Sequence, residues 1–258
     1  MTLPELAAEQ VVGFLLVLAR VGPLFLLAPV FSARALPAQA KVVVASGLAL
    51  ALTPIATAGH RLPTEGLEAV ALGVKEALVG LAFAFALSAI VAAAQFGAGL
   101  VDTVVGFSYA SVIDPFTNVQ GGILGQLYAI FIAVVLIVTG GDQLMIEGLA
   151  GTFRVVPIGE MPSWDVFGQI AIDGFARVFV LGLEVVAPVL IALIVVDCAL
   201  ALVARAAPQL NIFAVGLPAK IVIAIMVMVA SLPFVGDHVR GQLEVAVEET
   251  LLTLAGRG

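Results

Sequence analysis

Residues 166–203 read VFGQIAIDGFARVFVLGLEVVAPVLIALIVVDCALALV. A straight helix of this length would extend about 57 Å, whereas the hydrocarbon core of a bilayer is only about 30 Å thick. The stretch is too apolar for the surface of a water-soluble protein and too long for one simple span. It therefore predicts an integral membrane protein, with either a long helix that leaves the bilayer or a bent pair of short helices at this point.

The composition of the whole chain also indicates a membrane protein. Of the 258 residues, 62% are apolar and 11% are charged, whereas about 25% are charged in an average soluble domain. The 11 Lys and Arg residues and 18 Asp and Glu residues are too few to cover a soluble globule of this size. A net charge of -7, with no run of basic residues, argues against a nucleic acid partner.

Apolar stretches divide the chain into about six units, which predicts an all-α polytopic membrane protein. Prolines within or beside these units predict kinks or breaks. After the last unit, an apolar stripe at helical spacing predicts an amphipathic terminal helix that docks on a protein surface. The units cover about 11–31, 42–58, 69–101, 123–139, 166–203 and 212–236, the prolines are Pro23, Pro29, Pro188 and Pro233, and the stripe comprises Val239, Leu243, Val247, Leu251 and Leu254.

Several charged residues fall inside the apolar stretches. A charge at a lipid-exposed helix centre costs about 2.5–3.5 kcal/mol on insertion scales, so we expect these side chains to be buried against protein or to face water. Asp173 and Arg177 have the i, i+4 spacing of a helical ion pair. Lys75 and Glu76 are adjacent, which suits either two different neighbours or a helix end in water. The set comprises Arg20, Lys75, Glu76, Asp173, Arg177 and Glu184, with Asp197 as a further charge in the fifth unit.

The chain offers few groups for catalysis. His60 and His238 lie in predicted loops without carboxylates or cysteines at metal-ligand spacing, and Cys198 is the single cysteine. The sequence has no phosphate-binding loop of the form G-x-x-x-x-G-K-[ST]. We therefore expect no enzyme activity, no metal and no cofactor. A small-molecule secondary transporter is an alternative function, because broken helices and intramembrane charges also suit transporters.

Three segments carry a resemblance to a known family. They are residues 14–42, residues 94–127, and the sequence RAAPQLNIFAVGLPAK at 205–220. Their order and spacing resemble the FliR family, the R subunit of the flagellar type III protein export gate. The T subunits of virulence secretion systems share much of the pattern, although Val215-Gly216 ahead of Leu217-Pro218 resembles the flagellar branch more closely.

The resemblance implies a fold and partners that hydropathy does not give. Subunits of this family resemble a fusion of the gate's P and Q subunits, here residues 1–165 and 166–258, with bent helical hairpins wound into a right-handed assembly. The implied partners are the P and Q subunits, other export-apparatus membrane proteins, unfolded flagellar export substrates and membrane lipid. The implied role is to help conduct these substrates through the bacterial inner membrane, within the flagellar basal body.

By position, residues 106–122 correspond to the family's plug, which projects into the export channel and helps to keep it shut. Glycines bracket this segment, Asp114-Pro115 favours a turn, and it has bulky apolar groups but no Lys or Arg. An ordinary exposed hairpin is the alternative interpretation. The residues assigned to the plug are Gly106, Phe107, Tyr109, Ile113, Asp114, Pro115, Phe116, Gly121 and Gly122.

The third segment is predicted to form an elbow that serves assembly and has no catalytic role. Prolines are expected to break the helix there, and the freed backbone carbonyls need donors from polar side chains in an apolar environment. The elbow residues are Arg205, Pro208, Gln209, Asn211, Pro218 and Lys220.

Overall fold

The computed structural model describes residues 3–32, 36–59, 62, 66–106, 123–209 and 211–256. Within these ranges the chain forms helices joined by short turns, and no residue of them lies in a strand. The predicted all-α class is therefore confirmed. The helices are α1 (Leu3–Leu27), α2 (Ala38–Ala56), α3 (Gly66–Val105), α4 (Ile123–Val138), α5 (Gly141–Val155), α6 (Trp164–Ala206) and α7 (Ile212–Leu254).

Five of these helices, α1, α2, α3, α6 and α7, are long and apolar enough to cross a membrane. The short helices α4 and α5 form a bent pair that would count as a sixth span. Gly140 separates them and has a φ of 74°, a left-handed conformation that favours glycine. The prediction of a polytopic membrane protein with about six apolar units is confirmed.

The apolar unit at 166–203 lies in one continuous helix, α6, and the unit at 69–101 likewise lies in one continuous helix, α3. α3 has 40 residues and α6 has 43, so they extend about 60 and 65 Å at 1.5 Å per residue. Of the two alternatives, the long helix is the one observed. Pro188 lies inside α6 without ending it, and α7 continues through Pro218 and Pro233 to join the sixth unit to the predicted terminal helix.

The described chain forms two compact units. One comprises Met1–Ala89, Leu136–Phe175 and Gln242–Gly258, and the other comprises Ile90–Val135 and Ala176–Gly241. The long helices α3, α6 and α7 contribute a segment to each. These units are defined by which residues pack together, and they do not test the division into a P-like part at 1–165 and a Q-like part at 166–258. That division stays a prediction.

In the first unit, the end of α7 packs on a glycine-lined face of α5. A Cβ added to Gly148 would lie 2.7 Å from Val247 Cγ1 and 2.8 Å from Phe83 Cζ, and one added to Gly141 would lie 3.0 Å from Leu243 Cδ2. The terminal helix is amphipathic, as predicted, but the protein surface on which it docks belongs to the same chain. Its exposed acidic residues are Glu244, Glu248 and Glu249.

In the second unit, α3 and α6 approach each other at two glycines. A Cβ on Gly97 would collide with the carbonyl of Gly182, and one on Gly182 would lie 2.6 Å from the carbonyl oxygen of Ala93. The rings of Phe96 and Phe179 meet edge to face beside this contact, with centroids 5.0 Å apart. Small residues here allow the close backbone approach by which apolar helices associate.

Candidate functional site

Arg20 on α1 and Glu76 on α3 form a fully buried ion pair in the first unit. Arg20 Nε donates a hydrogen bond of 2.6 Å to Glu76 Oε2, and Arg20 Nη2 lies 2.6 Å from the same oxygen. Gly80 lies one turn after Glu76 on α3, and a Cβ there would collide with the backbone carbonyl of Arg20. The absence of a side chain at Gly80 thus lets the two helices approach closely enough for the pair to form.

The same pair closes the C-terminal end of α5. Arg20 Nη1 donates to the carbonyl oxygen of Val156, the residue after the helix, at 2.7 Å. It also donates at 3.1 Å to the carbonyl oxygen of Thr152, which accepts the N–H of Val156 as well. The backbone N–H of Gly159 donates to Glu76 Oε1 at 3.1 Å. The guanidinium carbon also lies 4.3 Å from the centroid of the Phe153 ring. Arg20 and Glu76 together therefore fix two helices and the turn after a third.

Two described residues, Gly106 and Leu124, lie close to the ends of the predicted plug segment, and both contact Asp102. Gly106, the first residue assigned to the plug, follows α3 with a φ of 107°, and its N–H donates to the carbonyl oxygen of Asp102 at 3.1 Å. The buried carboxylate of Asp102 accepts a hydrogen bond of 3.3 Å from the N–H of Leu124 in the first turn of α4. A carboxylate is stabilised at the N-terminal end of a helix, where the first N–H groups lack partners. Asp102 therefore holds the end of α3 against the start of α4.

The other plug residues lie outside the described part of the chain. These are Phe107, Tyr109, Ile113, Asp114, Pro115, Phe116, Gly121 and Gly122.

The elbow between α6 and α7 differs in part from the prediction. Pro208 lies in the turn that separates the two helices, but Pro218 lies inside α7 and does not break it. Asn211 accepts rather than donates: its side-chain oxygen takes a hydrogen bond of 3.3 Å from the N–H of Ala214 and so caps the start of α7. Arg205 and Gln209 are exposed.

Lys220 is the elbow residue that supplies a donor to a backbone carbonyl, although the carbonyl belongs to α3. Its Nζ donates a hydrogen bond of 3.3 Å to the carbonyl oxygen of Val104 and forms an ion pair with Asp197 on α6. The sequence placed Asp197 among the charges in apolar stretches but did not connect it with Lys220.

The six charges expected to be buried occupy three kinds of position. Arg20 and Glu76 are fully buried, and Lys75 and Arg177 are partly exposed. Asp173 and Glu184 are exposed on α6, so they are not buried within this chain. That they face water or a protein neighbour stays a prediction. Glu184 Oε2 lies 2.8 Å from His238 Nε2. Hydropathy could not separate these cases, since it measures how apolar a stretch is and not which side of the helix the chain itself covers.

Asp102 is a site residue that the sequence analysis missed. It lies one position beyond the third apolar unit, where an acid is typical of the polar end of a helix. The signal that could have found it was its spacing, four residues ahead of Gly106 at the edge of the polar segment. Among the described residues, no group of three or more His, Cys, Asp or Glu side chains could hold a metal ion.

Comparison with known proteins gives a family for this arrangement of helices. The family model described as "Bacterial export proteins, family 1" matches residues 11–246. The flagellar biosynthetic protein FliR of Bacillus subtilis is 30% identical over 249 residues, which cover 95% of this chain and 96% of the relative. FliR of Escherichia coli K12 is 28% identical over 219 residues, 84% of this chain and 83% of the relative.

A secretion system protein gives a shorter match. The secretion system apparatus protein SsaT of Salmonella typhimurium is 24% identical over 164 residues, 63% of each chain. Because the family model spans most of the sequence and a FliR protein matches nearly all of it, this chain belongs to the bacterial export proteins of family 1, the FliR family.

Proposed function

We propose that this chain is a membrane subunit of the flagellar type III export apparatus and helps to conduct unfolded flagellar proteins. The observation that carries the proposal is the extent of the match to flagellar relatives. The two FliR proteins align over 95% and 84% of the chain, whereas SsaT aligns over 63%. The flagellar branch is therefore better supported than the virulence branch.

The surface of the long helices supports a role within a larger assembly. α7 has 43 residues, about 65 Å of helix, and exposed large apolar side chains occur along it from Val215 to Leu252. A bilayer core of about 30 Å covers less than half of such a helix. The remaining apolar surface needs protein neighbours, and we assign these to the P and Q subunits of the gate and to other membrane proteins of the export apparatus.

The proposed position follows from the same role. The chain lies in the bacterial inner membrane, within the flagellar basal body, with a P-like part at 1–165 and a Q-like part at 166–258. It is not an enzyme, and the energy for export comes from partner proteins. Small-molecule secondary transport gains no support from relatives named as flagellar biosynthesis and secretion proteins.

Residues 106–122 form the plug of this gate. A channel for unfolded chains of any sequence needs a closure that fills its cross-section without fixed charge, and this segment has bulky apolar residues and no Lys or Arg. The contacts of Asp102 with Gly106 and Leu124 support the role, because they hold the two neighbouring helix ends together.

A clean deletion tests the function. A strain without this chain is expected to synthesise hook and filament proteins in the cytoplasm but to secrete none into the medium, as measured by immunoblots of the two fractions. Expression of the wild-type chain from a plasmid should restore secretion. Normal filaments in the deletion strain would contradict the proposal, and a selective failure of virulence effector secretion would move the chain to the other branch.

A further inference from the structure

Three helices of the second unit meet at Lys220. The residue lies in the third turn of α7, and its Nζ contacts the backbone carbonyl of Val104 at the end of α3 and the carboxylate of Asp197 near the end of α6. The Lys220 side chain is 18% exposed and that of Asp197 is 45% exposed. A single ammonium group therefore makes one contact to each of two other helices.

The contact with α3 satisfies a backbone group that its own helix leaves free. The last four carbonyls of a helix have no intrahelical N–H partner, and in α3 these belong to residues 102–105. The carbonyl of Asp102 accepts the N–H of Gly106, and that of Val104 accepts Lys220 Nζ. A cation at this end is also favoured by the helix dipole, so Lys220 acts as a C-terminal cap supplied by another helix.

The contact with Asp197 has a different effect. It neutralises the ammonium group and orients it, since a lysine side chain has a flexible four-carbon stem and three equivalent donors. Asp197 on α6 and Lys220 on α7 also bridge the elbow at 207–211. The ion pair thus holds the elbow, whereas the hydrogen bond to Val104 holds α3.

We propose that Lys220 is a positioning residue that fixes the C-terminal end of α3 relative to the start of α7, with Asp197 as its orienting partner. The inference deepens the proposed export function and rests on it for its biological meaning, because α3 leads into residues 106–122. Loss of the lysine should free the end of α3 even where the elbow itself stays folded.

The test measures one distance in the purified full-length protein in lipid nanodiscs. The single cysteine, Cys198, is replaced by serine, and spin labels are placed on cysteines at the exposed positions Thr103 and Leu217. Pulsed electron spin resonance should give a narrow distribution of distances between the two labels. Lys220→Met should broaden that distribution, and Lys220→Arg should keep it narrow because arginine also donates to a carbonyl. A narrow distribution in Lys220→Met would overturn the proposal.

Two further variants separate the cap from the ion pair. Asp197→Asn leaves the lysine donor in place and keeps a side-chain oxygen that can orient it, so the distribution should stay narrow. The exchange variant Asp197→Lys with Lys220→Asp keeps opposite charges but puts a carboxylate, which cannot donate, at the end of α3, so the distribution should broaden. A broad distribution in Asp197→Asn, or a narrow one in the exchange variant, would show that the ion pair alone fixes the end of α3. Either result would overturn the assigned role of Lys220.

A second measurement links the contacts of Lys220 to export and keeps the two proposals distinguishable. In cells, Lys220→Met should lower secretion of hook protein more than Lys220→Arg at equal abundance of the chain; equal secretion by the two variants would overturn the positioning role. The distance measurement does not depend on export. If deletion of the chain abolishes secretion but the distance distribution is the same in the wild type and in Lys220→Met, this inference alone is refuted. Normal secretion after deletion would instead refute the proposed function.

Discussion

Arg20 Nε lies 2.6 Å from Glu76 Oε2, and both side chains are completely buried although 56 positions separate them in the sequence. The guanidinium also holds the carbonyls of Thr152 and Val156. A buried charge that keeps its hydrogen bonds is tolerated, whereas one that loses its partner is strongly destabilising. This relationship makes α1, α3 and the end of α5 depend on one another.

Glu76→Leu should therefore lower the free energy of unfolding by about 3–5 kcal/mol, because it leaves the Arg20 charge buried without its acid. Unfolding of the full chain in detergent, followed by circular dichroism, measures the loss. Glu68→Leu is the matched control, since Glu68 is an exposed residue in the first turn of the same helix; it should change stability by less than about 0.5 kcal/mol. Equal effects of the two variants would contradict the importance of the ion pair.

Gly80→Ala should destabilise the chain by about 1–3 kcal/mol, because the added Cβ collides with the backbone carbonyl of Arg20 and forces α1 and α3 apart. Gly73 lies on the same helix, and a Cβ added there would have nothing within 4 Å, so Gly73→Ala should stabilise by up to about 1 kcal/mol. Thermal melting of both variants in one detergent gives the comparison. If both variants shift the melting temperature in the same direction, the close approach of α1 and α3 at Gly80 would be refuted.

Asp102→Leu should expose the amide of Leu124 to exchange, because it removes the acceptor at the start of α4. A hydrogen bond to a charged group contributes about 1.5 kcal/mol or more, so exchange at Leu124 should speed up by about tenfold. Hydrogen–deuterium exchange of a peptide from the start of α4 measures this. Asp102→Asn keeps a side-chain oxygen and Thr103→Leu alters an exposed neighbour; both should exchange more slowly than Asp102→Leu, and equal rates would rule out the contact.

The plug assignment predicts a leak that depends on side-chain bulk. Phe107→Ala with Phe116→Ala, or deletion of residues 108–116, should leave an assembled gate that passes ions and small solutes, since a steric plug works by filling the channel's cross-section. Phe116→Leu keeps most of the volume and should leak much less. Conductance of the purified complex in planar bilayers measures the leak. Background conductance in the assembled deletion variant would refute the plug while leaving the export assignment intact.

The sequence predicted the fold class because membrane helices are read from the apolar character of whole segments. The run from Val166 to Val203 is unambiguous in that respect. It could not show that α6 is one helix through Pro188, because a proline in a membrane helix either kinks it or is accommodated by its neighbours. The sequence likewise could not predict that α4 and α5 form a bent pair. Gly140 indicates that a helix ends there, but it does not give the angle between the two helices.

The site residues were predictable as single positions but not as partners. Arg20 and Glu76 stand out as charges in apolar runs, yet nothing in their local sequence joins them across 56 positions. Asp102 bonds to a backbone N–H, which leaves no side-chain signal at Leu124. Asp173 and Glu184 are exposed on this chain. The lipid penalty demands only that a charge avoid hydrocarbon, and a side chain that faces water satisfies that demand as well as a buried one.

Purification of the chain from its native membrane in a mild detergent tests the central claim most directly. A tag on this chain, followed by mass spectrometry of the intact eluate, should yield a stoichiometric complex with P-like and Q-like membrane proteins, and the tagged strain should still secrete hook protein. The same tag on an unrelated polytopic membrane protein should recover neither partner. A chain that elutes alone from a secreting strain, at a mass equal to its own, would contradict its role as a subunit of the export gate.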